Sequence, residues 1–269
     1  MVETISSLQN KTIKDTAKLV DKKYRQQTGL FMLEGLKLVQ ELLDSAWQID
    51  SVFLEQNLEL PAAMQAQLLE RSVNLYYVTK EIIAKIADVS TAQGIIAIAK
   101  MQPQQMPDFP QDATVLLLEN IQDPGNMGTI IRTAVATGIS AIIVTPDCAD
   151  IYSPKVVRST MGGMLRLPIV TMPAQEALSF LQAHQFPVYV TSLTNAASLY
   201  SAQFTGRAAI VLGNEANGVS SETLAHSPQR IFIPQIGKIE SLNVSIAAGV
   251  IMYEVLRQKL ASGAYPSSN

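Results

Sequence analysis

The chain has one cysteine, Cys148, in 269 residues, which excludes an internal disulfide. With only His184 and His226 beside it, a zinc site lacks ligands, and no metal is expected. Charged residues make up 16% and net to −3, which argues against broad, nonspecific affinity for nucleic acid. No apolar run reaches the ~18 residues of a membrane-spanning helix. The opening stretch MVETISSLQNKTIK is polar and lacks the apolar core of a signal peptide. These absences predict a cytoplasmic location away from the membrane. What is abundant is apolar: 48% of the residues, enough for a well-packed core in one large domain or two modest ones.

The charge is unevenly spread. Residues 1–40 carry Lys11, Lys14, Lys18, Lys22, Lys23, Arg25 and Lys37 against Glu3, Asp15, Asp21 and Glu34, a local charge of +3. A basic opening on an acidic chain hints at a phosphate contact there, although a solvated helix face reads the same way.

Residues 1–100 read as a small α/β unit. An amphipathic segment covers Thr12–Arg25, a short strand Gly29–Gly35, and a helix Leu36–Ala46, with Leu36, Val39, Leu42 and Leu43 on one face. Ile49–Leu54, Leu75–Val78 and Gly94–Ala99 read as strands. Ala62–Arg71 reads as a helix, and Thr79 as the cap of a short one over Glu81–Ala87. Residues 101–112, MQPQQMPDFPQD, hold three prolines and no apolar period, the composition of a linker. Residues 113–269 read as the second domain: 113–262 alternate strand and helix, and the tail SGAYPSSN (Ser262–Asn269) is expected to fray. TVLLL (Thr114–Leu118) is continuously apolar, as a parallel strand covered on both faces should be. A mainly parallel sheet is predicted, with ligands at the carboxyl ends of its strands.

Three Gly/Asn-rich turns fall at such ends. Asp123-Pro124-Gly125-Asn126-Met127-Gly128 opens a helix carrying Arg132; Asn126 reads as its N-cap, and Arg132 as a guanidinium able to grip a phosphate. It is not a G-x-G-x-x-G loop, so dinucleotide binding is poorly supported. Gly213-Asn214-Glu215-Ala216-Asn217-Gly218 follows the strand IVL, and its glycines let backbone approach a ligand. The third turn carries Ser241, Asn243 and Ser245 into a long apolar helix over Leu242–Leu260. There polar side chains either cap the helix, as Ser241 would, or serve a ligand.

Taken in order, these turns resemble the three motifs of the SpoU (TrmH-like) branch of the SPOUT RNA methyltransferases. The first pattern, P-x-N-x-G-x-x-x-R, is matched by Pro124–Arg132. The second, G-N-E-x-x-G, is matched by Gly213–Gly218, and the third, S-L-N-V-S-x-A, by Ser241–Ala247. Tyr152–Pro168 also resembles the family's substrate-side segment. The stretch KKYRQQTGLFMLEGLKLVQELL (Lys22–Leu43) is similar to the substrate-binding domain of members that act on ribosomal RNA. That domain looks like small kink-turn-binding ribosomal proteins.

The resemblance implies an α/β fold whose C-terminal sheet carries a deep trefoil knot, a feature no periodicity would predict. It implies homodimers, with the face of Leu242–Leu260 and the helix after Asn126 at the interface. It implies methyl transfer from S-adenosylmethionine to a ribose 2′-hydroxyl, on 23S ribosomal RNA before transfer RNA. Arg132, Asn126, Glu215, Ser241 and Asn243 would then be the catalytic set. Gly213, Ile233 and Leu242 would hold the cofactor, and Arg25, Lys22 and Lys23 would touch RNA. Since a guanidinium pKa exceeds ~12, Arg132 is better suited to positioning phosphate and stabilising an oxyanion than to acting as a base. The rival reading is a noncatalytic RNA-binding or ribosome-assembly protein of the same fold, which predicts a broken motif; Arg132 and Asn243 are both in place.

Overall fold

A computed structural model describes residues 2–102, 105–214, 217–227, 229–239 and 241–263. The chain forms two compact units, Met1–Pro103 with Asp150–Arg166, and Gln104–Ala149 with Leu167–Asn269. The first holds β1 (Val2–Ile5), α1 (Lys11–Ala17), α2 (Lys22–Thr28), β2 (Leu30–Glu34), α3 (Leu36–Leu43), β3 (Ile49–Glu55), α4 (Ala62–Glu70), β4 (Asn74–Val78), α5 (Lys80–Ile86) and β5 (Ile95–Lys100). Then come β6 (Thr114–Leu118), α6 (Pro124–Ala136) and β7 (Ala141–Val144) of the second unit, and α7 (Pro154–Ser159) of the first. The rest of the second unit is β8 (Ile169–Thr171), α8 (Ala174–Ala183), β9 (Val188–Thr191), β10 (Ala197–Ser198), β11 (Ala208–Leu212), α9 (Ser221–His226), β12 (Gln229–Phe232) and α10 (Val244–Ala261).

The first unit's sheet runs β1-β4-β3-β5-β2, with β5 antiparallel to both neighbours. Ile13 of α1 and Ile82, Ile83 and Ile86 of α5 pack on Met32, Phe53 and Ile96 of that sheet. The strand β1 escaped the sequence reading because Val2 and Thr4 are exposed; it exists through parallel pairing with β4. The single segment expected over Thr12–Arg25 is two helices. Asp21, in an extended conformation, breaks it and caps α2, accepting from Lys23 N at 2.7 Å and Tyr24 N at 3.4 Å.

Arg25 corrects one expectation outright. Its side chain is 2% exposed and donates to Leu19 O (2.7 Å), Val20 O (2.8 Å) and Asp150 Oδ2 (2.5 Å). A guanidinium so committed fastens the unit and is not presented to RNA. Lys22 and Lys23 remain exposed on α2. The segment Asp150–Arg166, expected to belong with the second domain, is held on the first unit by further pairs. Arg158 binds Asp88 at 2.8 Å and lies 3.8 Å from Glu34, Arg166 binds Glu41 at 2.5 Å, and Tyr152 packs on Phe31. The second half of the expected linker is also committed: Phe109 O and Pro110 O accept from Arg207, and Phe109 stacks edge-on against Phe180 and Phe186.

The second unit's sheet runs β10-β12-β9-β11-β6-β7-β8, and every pairing between these strands is parallel. β6 and β11 are buried along their whole length, as their unbroken apolar sequences require. Val115 and Leu117 pack against Ala177, Leu178 and Leu181 of α8. Helices α6 and α10 lie against one another. The far end of α10 is tied to the start of β6 by buried Lys259, which donates to Asp112 O and Thr114 Oγ1; burial pushes its pKa below the usual lysine value. Of the tail Ser262–Asn269, expected to fray, residues 264–269 lie outside the described part.

Candidate active site

The site is assembled from turns that leave the carboxyl ends of the parallel strands β6, β11 and β12. After β6 the chain enters α6 with Pro124 at its first position, and Asp123 is the cap, its Oδ1 accepting from Asn126 N at 2.8 Å. Asn126, expected as the cap, is therefore inside the first turn with its side chain released for other work. It accepts from Asn243 Nδ2 at 3.0 Å. Asn243 in turn is the cap of α10, an office expected of Ser241: its Oδ1 accepts from Ser245 N (2.9 Å), Ile246 N (3.3 Å) and Ser245 Oγ (2.6 Å). Because that oxygen faces two main-chain donors, the amide orientation is settled, and its nitrogen must point at Asn126. The first and third motifs are joined through this one side chain.

The second motif is joined to the turn that leads into the first by Asn214, whose Nδ2 donates to Asn120 O at 3.0 Å. Asn214 and Gly218 also form a short antiparallel bridge, N to O at 3.1 and 2.8 Å. The bridge folds the loop back onto Gly213. A Cβ placed there would lie 2.2 Å from the carbonyl carbon and oxygen of Gly218, so glycine is required by close approach of backbone to backbone. The far side of the loop is held by the buried carboxylate of Glu119, which accepts from Ser220 N (2.9 Å) and Thr223 Oγ1. Sequence reading did not single out Glu119: an acid ending an apolar strand carries no signal until its partners, about a hundred positions away, are known. Glu215 lies outside the described residues.

Between these turns is a cavity of about 500 Å3. Gly213, Ile233, Leu242 and Ser241 all line it, so the three expected cofactor positions share one wall system. Leu212, Ile231 and Ile251 add apolar surface, while Thr191, Asn217 and Gln235 add polar groups. Thr191 and Gln235 were not expected; Thr191 ends β9, and the preference of ligands for strand carboxyl ends pointed to it. Asn126, Asn243 and Arg132 are not part of the lining. Arg132 is exposed on α6 and makes no ion pair among the described residues. No group of three or more His, Cys, Asp or Glu among the described residues could hold a metal ion. Cys148 is buried, donating to Leu118 O and accepting from Ile121 N, both at 3.3 Å, and burial pushes its thiol pKa up; its role is structural.

Comparison with known proteins places this geometry. Residues 113–253 match the SpoU rRNA Methylase family, and residues 10–97 match the MRM3-like substrate binding domain. The uncharacterized tRNA/rRNA methyltransferase slr1673 of Synechocystis is 34% identical over 97% of this chain and 96% of its own length. The 23S rRNA (guanosine(2553)-2′-O)-methyltransferase RlmP of Bacillus subtilis is 31% identical over 94% of this chain and 99% of its own. The crystal structure of the AdoMet-bound rRNA methyltransferase of Sinorhizobium meliloti superposes with a TM-score of 0.86 at 31% identity, covering 95% of this chain and 98% of that one. By motifs, fold and relatives alike, the chain belongs to the SpoU rRNA Methylase family.

Proposed function

We propose that this protein transfers the methyl group of S-adenosylmethionine to a ribose 2′-hydroxyl of 23S ribosomal RNA. The observation that carries the reading is the cavity of about 500 Å3 walled by all of Gly213, Ile233 and Leu242. Its size suits a ligand of that class, its apolar walls suit an adenine, and the bare backbone at Gly213 suits a close hydrogen-bonding approach. Bound there, the cofactor supplies a methyl group made electrophilic by its sulfonium.

The chain's own residues then have to orient and activate a hydroxyl that is scarcely ionised at neutral pH. Arg132, exposed and in no ion pair among the described residues, would grip the substrate phosphate and stabilise the oxyanion as it develops. The Asn126–Asn243 pair, 3.0 Å apart, anchors the first turn of the same helix against the start of α10. Its work is to fix where Arg132 stands. Ser241, on the cavity wall, is placed to meet the cofactor, and Glu215 would orient Arg132 or the ribose. Lys22 and Lys23 on α2 would contact RNA phosphates.

The reading includes the family's knot and a homodimer. Ile246, Tyr253 and Leu260 are exposed at seven-residue spacing along α10, which puts them on one face, and apolar Ile236 and Ile239 are exposed in the preceding turn. A second copy is the natural cover for that stripe. No described helix is long and apolar enough to cross a membrane, and the proposed place of work is the cytoplasm.

The test is transfer of label from S-adenosylmethionine to unmodified ribosomal or transfer RNA, with the product mapped by resistance to alkaline cleavage. Label in ribosomal RNA, reduced about 10²–10³-fold in Arg132→Ala, is the expected result. Label only in transfer RNA overturns the substrate, and label on a base overturns the 2′-hydroxyl.

A further inference from the structure

The first unit contains a cavity of its own, of about 320 Å3, between its sheet and the helices α1 and α2. Leu30, Ser51, Tyr76 and Ile98, one residue from each of four strands, form its floor. Nothing in the reaction described above uses it.

Two hydroxyls that line it lack partners. Ser51 and Thr16 are only 4% and 7% exposed, and neither side-chain oxygen makes a hydrogen bond among the described residues. Both oxygens keep accessible surface, unlike the sealed orphan atoms of Arg25, Glu34, Asn120 and Arg158. A buried hydroxyl without a partner is destabilising, so these two are held ready for a group the fold does not supply.

Asp50 stands beside them through an irregularity of the sheet. Neighbouring residues of a strand point to opposite faces, yet Asp50 and Ser51 both line the cavity. The ladder between β3 and β5 pairs Ile49 with Ala99 and Ser51 with Ile98, so Asp50 is an extra residue. Such a bulge re-aims a side chain. The Asp50 carboxylate has no ion pair and no hydrogen bond among the described residues. The other acid of the lining, Asp15, is already bound to Lys18 at 2.9 Å.

The interior and the surrounding surface demand different things of a ligand. Inside, an unpaired carboxylate and two hydroxyls lie beside the rings of Tyr24 and Tyr76 and the apolar Leu30 and Ile98, which suits a flat group bearing N–H donors. Outside, Lys11 lines the cavity, and Lys14, Lys22 and Lys23 are exposed on the same two helices, which suits negative charge. A cationic side chain meets the first demand and is repelled by the second; a bare phosphate does the reverse. A nucleotide with its base unstacked meets both. Among the bases, guanine presents two neighbouring donors, N1–H and N2–H, to one carboxylate.

We propose that this cavity takes one unstacked guanine of the RNA substrate. Asp50 accepts from its N1–H and N2–H edge, Ser51 and Thr16 complete the contacts, and the flanking phosphates lie on the lysines of α1 and α2. The inference rests on RNA as the substrate class in the reading above, and adds to it a point of base recognition on the first unit.

The test measures binding of single-stranded RNA heptamers to the full chain, with S-adenosylhomocysteine in excess to fill the cofactor cavity. One heptamer is all uridine; the others carry guanosine or inosine at the centre, and inosine lacks only the amino group. The guanosine heptamer should bind about tenfold tighter than the uridine one, with inosine between them. In Asp50→Asn the preference for guanosine should fall below about twofold. The lost charge acts on both heptamers alike, so their ratio isolates the base contact. Ser51→Ala deletes a hydroxyl with no partner in the fold, so it should keep the parent's Tm and weaken the guanosine heptamer about threefold. Equal affinity of the parent for guanosine and uridine, or a preference unchanged in Asp50→Asn, overturns the inference. So does displacement of the guanosine heptamer by an arginine peptide but not by guanosine monophosphate, which would assign the cavity to a protein side chain. Label transfer to ribosomal RNA without any heptamer preference would leave the methyltransferase reading standing alone, and absence of both would remove the two together.

Discussion

An alanine at position 213 would place its Cβ 2.2 Å from Gly218 C and O and 2.3 Å from Val219 N. Carbon atoms pack best at about 3.5–4 Å, so the gap must open by more than about 1 Å, and both sides of it are backbone. Opening it severs the bridge between Asn214 and Gly218, whose two hydrogen bonds measure 3.1 and 2.8 Å. Those bonds are worth about 1–3 kcal/mol together, and residual overpacking costs about 1–3 kcal/mol more. The total, about 2–6 kcal/mol, is a large part of a typical domain stability of about 5–15 kcal/mol. At about 2–4 °C per kcal/mol for a unit of this size, Tm should fall by about 5–20 °C. The displaced loop is also a cavity wall, so calorimetric titration with S-adenosylmethionine should show affinity reduced by more than about tenfold. Gly218→Ala is the control: its φ is +68° but no atom lies within 4 Å of the added Cβ, so only the conformational cost of about 1–2 kcal/mol applies. Gly213→Ala melting within about 2 °C of the parent, with cofactor affinity intact, would refute the close-approach argument. So would Gly218→Ala proving the more damaging of the two.

Asn243→Ala removes the cap of α10 and the bond to Asn126 at once; chemical denaturation should show a loss of about 1–3 kcal/mol, and kcat should fall more than cofactor affinity. Arg25→Ala leaves Asp150 and two carbonyls without their buried cation and should cost about 3–5 kcal/mol by the same measurement, a loss that an exposed RNA contact would not produce. The carboxyl of Glu34 is pushed above its ordinary value by burial, against the pull of the Asp88 amide and Arg158. Between the ordinary and raised values the folded chain holds the extra proton, so stability should fall as pH rises through that window, and Glu34→Gln should flatten this part of a denaturation-versus-pH curve.

Much of the architecture was legible because it is written locally. The unbroken apolar runs of β6 and β11 announce strands buried on both faces, and the glycine pair at 213 and 218 announces a loop folded onto itself. Helix starts were displaced by a few residues because several good caps stand in a row. At α6 the proline at 124 hands the cap to Asp123, not Asn126, and at α10 Asn243 takes it from Ser241. Such near-ties are decided by where the side chain finds its partner. The role of Arg25 was illegible for a different reason: its partner Asp150 is 125 positions away, and a buried arginine and an RNA-facing one have the same letter.

The chain passes between the two units three times, after Pro103, after Ala149 and after Arg166. The pieces are therefore not modules in series that a single cut could release. Cleavage within residues 101–112 would yield an N-terminal fragment lacking Asp150–Arg166. That fragment would hold Arg25 without Asp150, and Glu34 without the Arg158 guanidinium beside it. Exchange of the N-terminal segment between relatives meets the same obstacle. A transplanted residue 1–103 segment carries half of each charge pair, and the other half stays behind, coded downstream of α6.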